Sequence, residues 1–240
     1  EPTLMGVDFF RRAVEYQKQF GRTGQQVSNA VQTNGTLLDN DFCGLFAEYN
    51  FLIGISIDGP EKIHDKHRLA IGGQGSHSLV MKGLDMLKKR NIEFNVLTLV
   101  SGANAGSPLE IYNYLKELGV FFHQYIECVE FNPDGSLANF AVNAHQWGEF
   151  LCAIFDEWFK SDTRTVSVRL FDSILHKLVD NNENVCVMKN DCRSYLVVEH
   201  NGNIYPCDFY VENDLLLGNI MTGEWNDFLD SKIYKKFGKR

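Results

Sequence analysis

At 240 residues the chain can bury roughly 70–75% of its unfolded surface, so one large domain, or one domain with a small appendage, needs no disulfide staples. Apolar residues make up 44% and charged residues 22%, proportions that exclude collagen, a coiled coil and wholesale disorder. A net charge of -8 argues against a sequence-independent grip on nucleic acid, which needs clustered Lys and Arg to displace counterions.

The basic run Lys232, Lys235, Lys236, Lys239, Arg240 reads as a solvated helix face. No window approaches the ~20 apolar residues of a membrane helix, and no charged-then-apolar leader opens the sequence. The expectation is a soluble cytoplasmic protein that meets neither nucleic acid nor membrane. Glu1-Pro2 stands where an initiator Met would, and the chain stops at Lys239-Arg240, so both ends read as cut from something longer.

In chain order, residues 6–20 carry helical spacing in Phe9, Phe10, Ala13, Val14 and Tyr16, and Gly21 and Gly24 end the run. Residues 26–33 read as a strand, and Asp39 caps a helix to about Tyr49. Phe51 to Ile57 is an apolar run typical of a strand covered on both faces. After Gly72-Gly73-Gln74-Gly75 a helix over 77–90 turns Leu79, Val80, Leu84 and Leu87 inward. Phe94 to Val100 is the next strand, Pro108 opens a helix that Gly119 stops, and Val120 to Val129 is a fourth strand. Strands alternating with helices predict βα units on a parallel sheet, barrel-like or doubly wound, with ligands at the carboxyl ends of the strands.

Residues 144–159 and 168–180 predict two more helices, with Trp147, Phe150, Phe155, Trp158 and Leu175 as core. A polar loop, Asp180 to Asn184, marks a boundary near residue 181. Beyond it, Tyr195–His200 and Ile204–Cys207 flank Asn201-Gly202-Asn203, a β-hairpin pattern.

Three of the six cysteines cluster as Cys186-x5-Cys192-x14-Cys207, with the hairpin expected to bring them near one another. Thiolates gathered in a reducing compartment suit tetrahedral zinc or an iron–sulfur cluster, and spacing leaves both open. Cys43, Cys128 and Cys152 read as isolated, buried small apolar residues.

The order of several segments resembles a known family. Glu1-Pro2-Thr3-Leu4, Gln32-Thr33-Asn34-Gly35, Ile55 to Gly59 and His64-Asp65-Lys66-His67-Arg68 are similar to stretches of anaerobic sulfatase-maturating enzymes of the radical S-adenosylmethionine (radical SAM) family. Cys192-Arg193-Ser194-Tyr195 and Tyr205-Pro206-Cys207-Asp208 resemble the start of their C-terminal SPASM domain. The resemblance implies a partial parallel (β/α) barrel of radical SAM type over 1–180, then the start of a SPASM domain with its β-hairpin over 181–240.

It also implies an oxidoreductase whose cofactors are SAM and [4Fe-4S] clusters. Glu1 would bind the amino group of SAM's methionine part, Ser56 and Arg68 its carboxylate, and Val129 the adenine. Cys186, Cys192 and Cys207 would ligate an auxiliary cluster, and Asp208 would be the general base. The substrate would be a Cys or Ser of a sulfatase polypeptide, converted to Cα-formylglycine, with a flavodoxin or ferredoxin as electron donor. Read without the resemblance, Ser56 is a satisfied strand-end hydroxyl, Arg68 a surface ion pair and Asp208 a helix or turn cap.

Two departures stand out. No cysteine pair has the Cys-x3-Cys-x2-Cys spacing that binds the SAM-cleaving cluster, and the chain ends before a second cysteine-rich stretch, so these residues alone are expected to be inactive. Alternatives are another SPASM-type peptide maturase, such as a thioether-forming enzyme, and a non-enzymatic zinc-binding or interaction module.

Overall fold

The computed structural model describes residues 1–239; Arg240, the last member of the basic run, lies outside the described residues. Two compact units are present, Glu1–Asp172 and a second beginning at Ser173.

In the first unit, α1 (Val7–Phe20) precedes β1 (Ala30–Thr33), and α2 (Asn40–Glu48) precedes β2 (Leu52–Ser56). A short α3 (Glu61–His64) and α4 (His77–Lys89) lead to β3 (Phe94–Val100), α5 (Pro108–Glu117) to β4 (Phe122–Glu127), and α6 (Ala144–Ser161) to β5 (Ser167–Val168). The strands form one sheet in the order β1-β2-β3-β4-β5 with every pairing parallel. This is the expected α/β architecture. β5 was not expected, because two residues are too short to show a period. α7 (Arg169–Asp180) follows it.

Local chemistry starts these helices where the sequence predicts. The Asp39 carboxylate accepts from the backbone N–H groups of Asp41 and Phe42, Asn143 and Gln146 close a reciprocal capping box on α6, and Pro108 occupies the first turn of α5. Alternation along the strands then sorts the side chains. Val31, Ile53, Ile55, Val96 and Val100 are buried with Leu84, Leu87, Ile111, Leu115 and Ile154 of the helices, each contributing about 1.5–3 kcal/mol. Phe10 of α1 meets Phe42, Phe46 and Phe51 edge-on at centroid distances of 5.8–6.5 Å.

The opposite face of the sheet is not covered as the apolar run 51–57 suggested. Leu52 is 44% and Leu99 38% exposed, and Ser56 is half-buried. Other inward assignments also change. Leu79 of α4, Phe155 of α6 and Leu175 of α7 are exposed, since each lies off the stripe of its helix that carries Val80, Trp158 or Phe171. Cys43 is buried as expected, but Cys128 is half-buried and Cys152 exposed.

The second unit holds an antiparallel sheet of β6 (Val197–Val198), β7 (Asn203–Tyr205) and β8 (Gly218–Asn219). Gly202 takes φ 83° in the turn joining β6 to β7, a left-handed conformation natural to glycine. Asn219 of the unforeseen β8 clamps that turn through bonds to Asn201 and Asn203. α8 (Trp225–Asp230) and α9 (Lys232–Phe237) follow. On α9, Tyr234 and Phe237 are buried while Lys232, Lys235 and Lys236 face solvent, the solvated basic face read from the sequence.

Two buried imidazoles link this fold to pH. His64 and His123 are 1% and 2% exposed, and burial pushes both down to about 4. A histidine with a depressed folded pKa contributes stability that is complete above its unfolded value near 6.5 and is lost as the pH falls toward 4. Denaturant unfolding is expected to show stability constant above about pH 7 and falling by up to about 1.4 kcal/mol per pH unit per histidine between 6.5 and 4. His123→Asn should flatten that slope; an unchanged slope would show that another group carries it.

Candidate functional site

Because β1 to β4 are parallel, their carboxyl ends share one edge of the sheet, and chemistry-bearing side chains gather there. Glu1 reaches the end of β1. Its Oε1 accepts from the hydroxyl of Thr33 at 2.8 Å and from the Thr3 backbone N–H at 3.0 Å, and its Oε2 accepts from the Asn34 N–H at 2.7 Å. Partial burial raises this carboxyl, but the bonds from Thr3, Asn34 and Thr33 outweigh it and hold it below its ordinary value. The group is an ionised acceptor whose Oε2 has room for a further donor.

Ser56 is the last residue of β2, and its Oγ accepts from Gln32 Nε2 at 3.1 Å. Gln32 crosses from β1 over Gly54, to which it is paired. A Cβ at Gly54 would stand 1.9 Å from Gln32 Oε1 and 3.0 Å from a Leu97 methyl, so this glycine makes the crossing possible.

Two residues past β2, Asp58 takes Arg68 in a fork, at 2.5 Å from Nε and 3.1 Å from Nη2, and accepts the Leu99 backbone N–H at 3.0 Å. The carboxylate is 11% and the guanidinium 26% exposed, so Arg68 is ion-paired, but mostly out of solvent rather than on the surface. Val129, two residues past β4, is 48% exposed. Glu1, Ser56, Arg68 and Val129 thus belong to segments at the ends of β1, β2 and β4.

In the second unit, Cys207 lies two residues past β7, Cys186 on a 3-10 turn over Cys186–Met188, and Cys192 a few residues later. All three are free thiols. Among the described residues no group of three or more His, Cys, Asp or Glu could hold a metal ion. Asp208 is exposed and its Oδ1 accepts from the Tyr195 phenol at 2.7 Å, with Cys207 Sγ 3.6 Å away. Burial, then the bonds to Asp208 and Cys207, push the Tyr195 phenol up, so it stays protonated and donates.

Comparison with known proteins decides the family. Residues 1–115 match the Radical SAM superfamily and residues 186–240 the SPASM iron-sulfur cluster-binding domain. The chain is 37% identical over 99% of its length to the serine-type anaerobic sulfatase-maturating enzyme of Bacteroides thetaiotaomicron, and 36% identical over 99% to the cysteine-type enzyme of Clostridium novyi. It superposes with a TM-score of 0.93 and 32% identity on native anSMEcpe with bound AdoMet and Cp18Cys peptide, over 100% of this chain and 67% of that one. The chain belongs to the family of anaerobic sulfatase-maturating radical SAM enzymes. It spans 61% and 64% of the two curated relatives. SuiB of Streptococcus suis with bound S-adenosylmethionine, at 11% identity and a TM-score of 0.62 over 88% of this chain and 50% of that one, shares the fold alone.

The family's cofactors are SAM and [4Fe-4S] clusters. The strand edge fits the amino-acid end of SAM, which carries an ammonium and a carboxylate: Glu1 is an ionised acceptor with spare capacity, and Arg68 a shielded guanidinium. The three free thiols have donor chemistry suited to a cluster. Sequence reading missed Gln32, Asp58, His64, Ser76 and Tyr195. Asp58 and His64 lay inside the quoted segments, yet their roles depend on contacts across 10 and 12 residues that no period reveals.

Gly54→Ala tests the arrangement at Ser56. The new methyl should expel Gln32 from Ser56 while changing stability by less than about 1 kcal/mol, since the displaced atoms end a flexible side chain. Side-chain amide NMR checks this: the Gln32 resonances should shift to solvent-like values, and unshifted resonances would show the crossing survives.

Proposed function

We propose that the protein acts, in the context of its whole chain, as a radical SAM oxidoreductase that converts a Cys or Ser of a sulfatase polypeptide to Cα-formylglycine. The observation that carries the reading is an ionised Glu1 at the end of β1 and a shielded Arg68 held by Asp58 past the end of β2, in a chain that follows AdoMet-bound anSMEcpe throughout its length. The 240 residues contain no Cys-x3-Cys-x2-Cys segment, and in isolation we expect no SAM cleavage from them. The reading includes a reducing cytoplasm, where free thiols persist, and a flavodoxin or ferredoxin as electron donor; no helix among the described residues is long and apolar enough to cross a membrane.

Bound, the cofactors would supply a 5′-deoxyadenosyl radical to remove one hydrogen from the substrate β-carbon and an acceptor for the second electron. The protein's own residues have positioning and proton tasks. Glu1 would hold the ammonium of SAM through charge-assisted hydrogen bonding, Ser56 and Arg68 would hold its carboxylate, and Val129 would contact the adenine. Cys186, Cys192 and Cys207 are the thiolates that would hold an auxiliary cluster. Asp208 takes the proton from the substrate sulfur or oxygen, and Tyr195 fixes its orientation. For a Cys substrate, water then hydrolyses the resulting thioaldehyde to the aldehyde, releasing hydrogen sulfide.

Asp208→Asn in the full-length enzyme keeps size and removes basicity. Expected are intact cluster content and SAM cleavage with formylglycine reduced about 100-fold, within the usual range for a lost acid–base group. Undiminished product would reduce Asp208 to a structural residue.

A further inference from the structure

Arg68 is held by more than its carboxylate partner. After β2 the chain turns at Gly59, φ 135°, where an added Cβ would meet Ile111 at 3.1 Å and Ile63 at 3.3 Å. That turn lets α3 fold back so that His64 sits beneath Asp58. His64 Nδ1 accepts the Asp58 backbone N–H at 3.2 Å. With Nδ1 an acceptor, the ring proton of the neutral imidazole is on Nε2, which faces Ser76 Oγ at 3.2 Å. Ser76 Oγ then donates its own proton to the Arg68 carbonyl at 2.8 Å, reinforced by the Ser76 N–H at 3.1 Å. The Arg68 N–H donates to the His64 carbonyl at 3.1 Å, and the guanidinium returns to the Asp58 carboxylate. The bonds form a closed circuit, Asp58 to His64 to Ser76 to Arg68 to Asp58.

The circuit has a direction. Each bond of the circuit runs from one donor to one acceptor, no buried side-chain polar atom among the described residues lacks a partner, and the imidazole is 1% exposed. Only the neutral ring with its proton on Nε2 satisfies both neighbours. An imidazolium would set Nδ1–H against the Asp58 N–H. Two of the three guanidinium nitrogens are taken by Asp58, and Nη1 is the one left over for an anion.

We infer that His64 is a positioning residue: through Ser76 and Asp58 it aims the Arg68 guanidinium at the carboxylate of SAM without touching the cofactor. This rests on the reading of Arg68 as a SAM ligand. Two fixed points are needed because an arginine side chain has many rotamers, and orienting it beforehand removes an entropy cost from binding. Asp58 fixes the head, and His64 with Ser76 fixes the backbone from which the head hangs.

The test uses the full-length protein with its clusters in place, two probes and three variants. SAM and decarboxylated SAM share the adenosine, the sulfonium and the ammonium, and differ in the carboxylate. Equilibrium dialysis gives the Kd for each, and thermal unfolding reports the fold. His64→Ala and Ser76→Ala are expected to weaken SAM by about tenfold and to leave decarboxylated SAM unchanged within a factor of two. His64→Gln, whose amide nitrogen reaches toward Ser76 as Nε2 does, should recover part of the loss. Equal loss for both probes means a merely structural role and overturns the inference, as does no loss for either. If His64→Ala does not fold, Ser76→Ala decides, since it removes one oxygen. Arg68→Ala separates this inference from the reading beneath it. Should Arg68→Ala weaken both probes equally, or neither, the SAM-carboxylate role of Arg68 is wrong; should it weaken SAM alone while the His64 and Ser76 variants do not, only the circuit is wrong.

Discussion

Parallel backbone pairing from β1 to β4 is the constraint on which the first unit's chemistry depends. In a parallel ladder each strand must return to the same starting edge through a crossover, so all the carboxyl ends finish together. Register does the rest. Gln32 lies opposite Gly54, Gly54 opposite Asn95, and Ser56 opposite Leu97. A one-residue slip of β2 would turn Ser56 to the helix side and bring Ile55 or Ile57 to the opposite, open face of the sheet. The buried isoleucines, all 0% exposed, hold that register because the slip would expose all three.

Much of this was legible because hydrophobic period and capping are local. The Asp39 cap, the Ser107-Pro108 start of α5 and the apolar cores of β2 and β3 are read within a window of a few residues. What was not legible depends on partners far along the chain. Gly54 looks like a weakness in a strand until Gln32 is seen above it, and Leu79 looks inward until the rotation of α4 is known. Asp58 and His64 could be singled out as unusual after an apolar run, but only the fold shows that one takes the guanidinium and the other the backbone N–H beneath it. The resemblance supplied Glu1, Ser56 and Arg68 as candidates, and the hydrogen bonds supply the physical reason each is held where it is.

The second unit has a different balance. Its strands are two or three residues long, so backbone pairing gives little stability and the unit relies on side-chain clamps such as Asn219 on the hairpin turn. Cys207 is placed by that hairpin; Cys186 sits on its own short turn and is exposed. Thiolate–metal bonds are strong enough to organise such segments, and in small metal-binding domains the binding free energy is part of the folding free energy.

The charge arrangement at the strand edge also explains why a neutral buried histidine belongs beside it. The edge carries Glu1 and Asp58 as anions against Arg68 as cation, leaving one negative and one balanced position for a zwitterion. A protonated His64 would add positive charge under Asp58, compete with Arg68 for that carboxylate and loosen the guanidinium. Burial prevents this by making the charged ring costly, and the two bonds to Asp58 and Ser76 make the neutral ring specific. The apolar packing of α3 around Ile63 and Gly59 thus has an electrostatic consequence. By excluding water from one imidazole, it keeps the only cation of the circuit paired with its carboxylate.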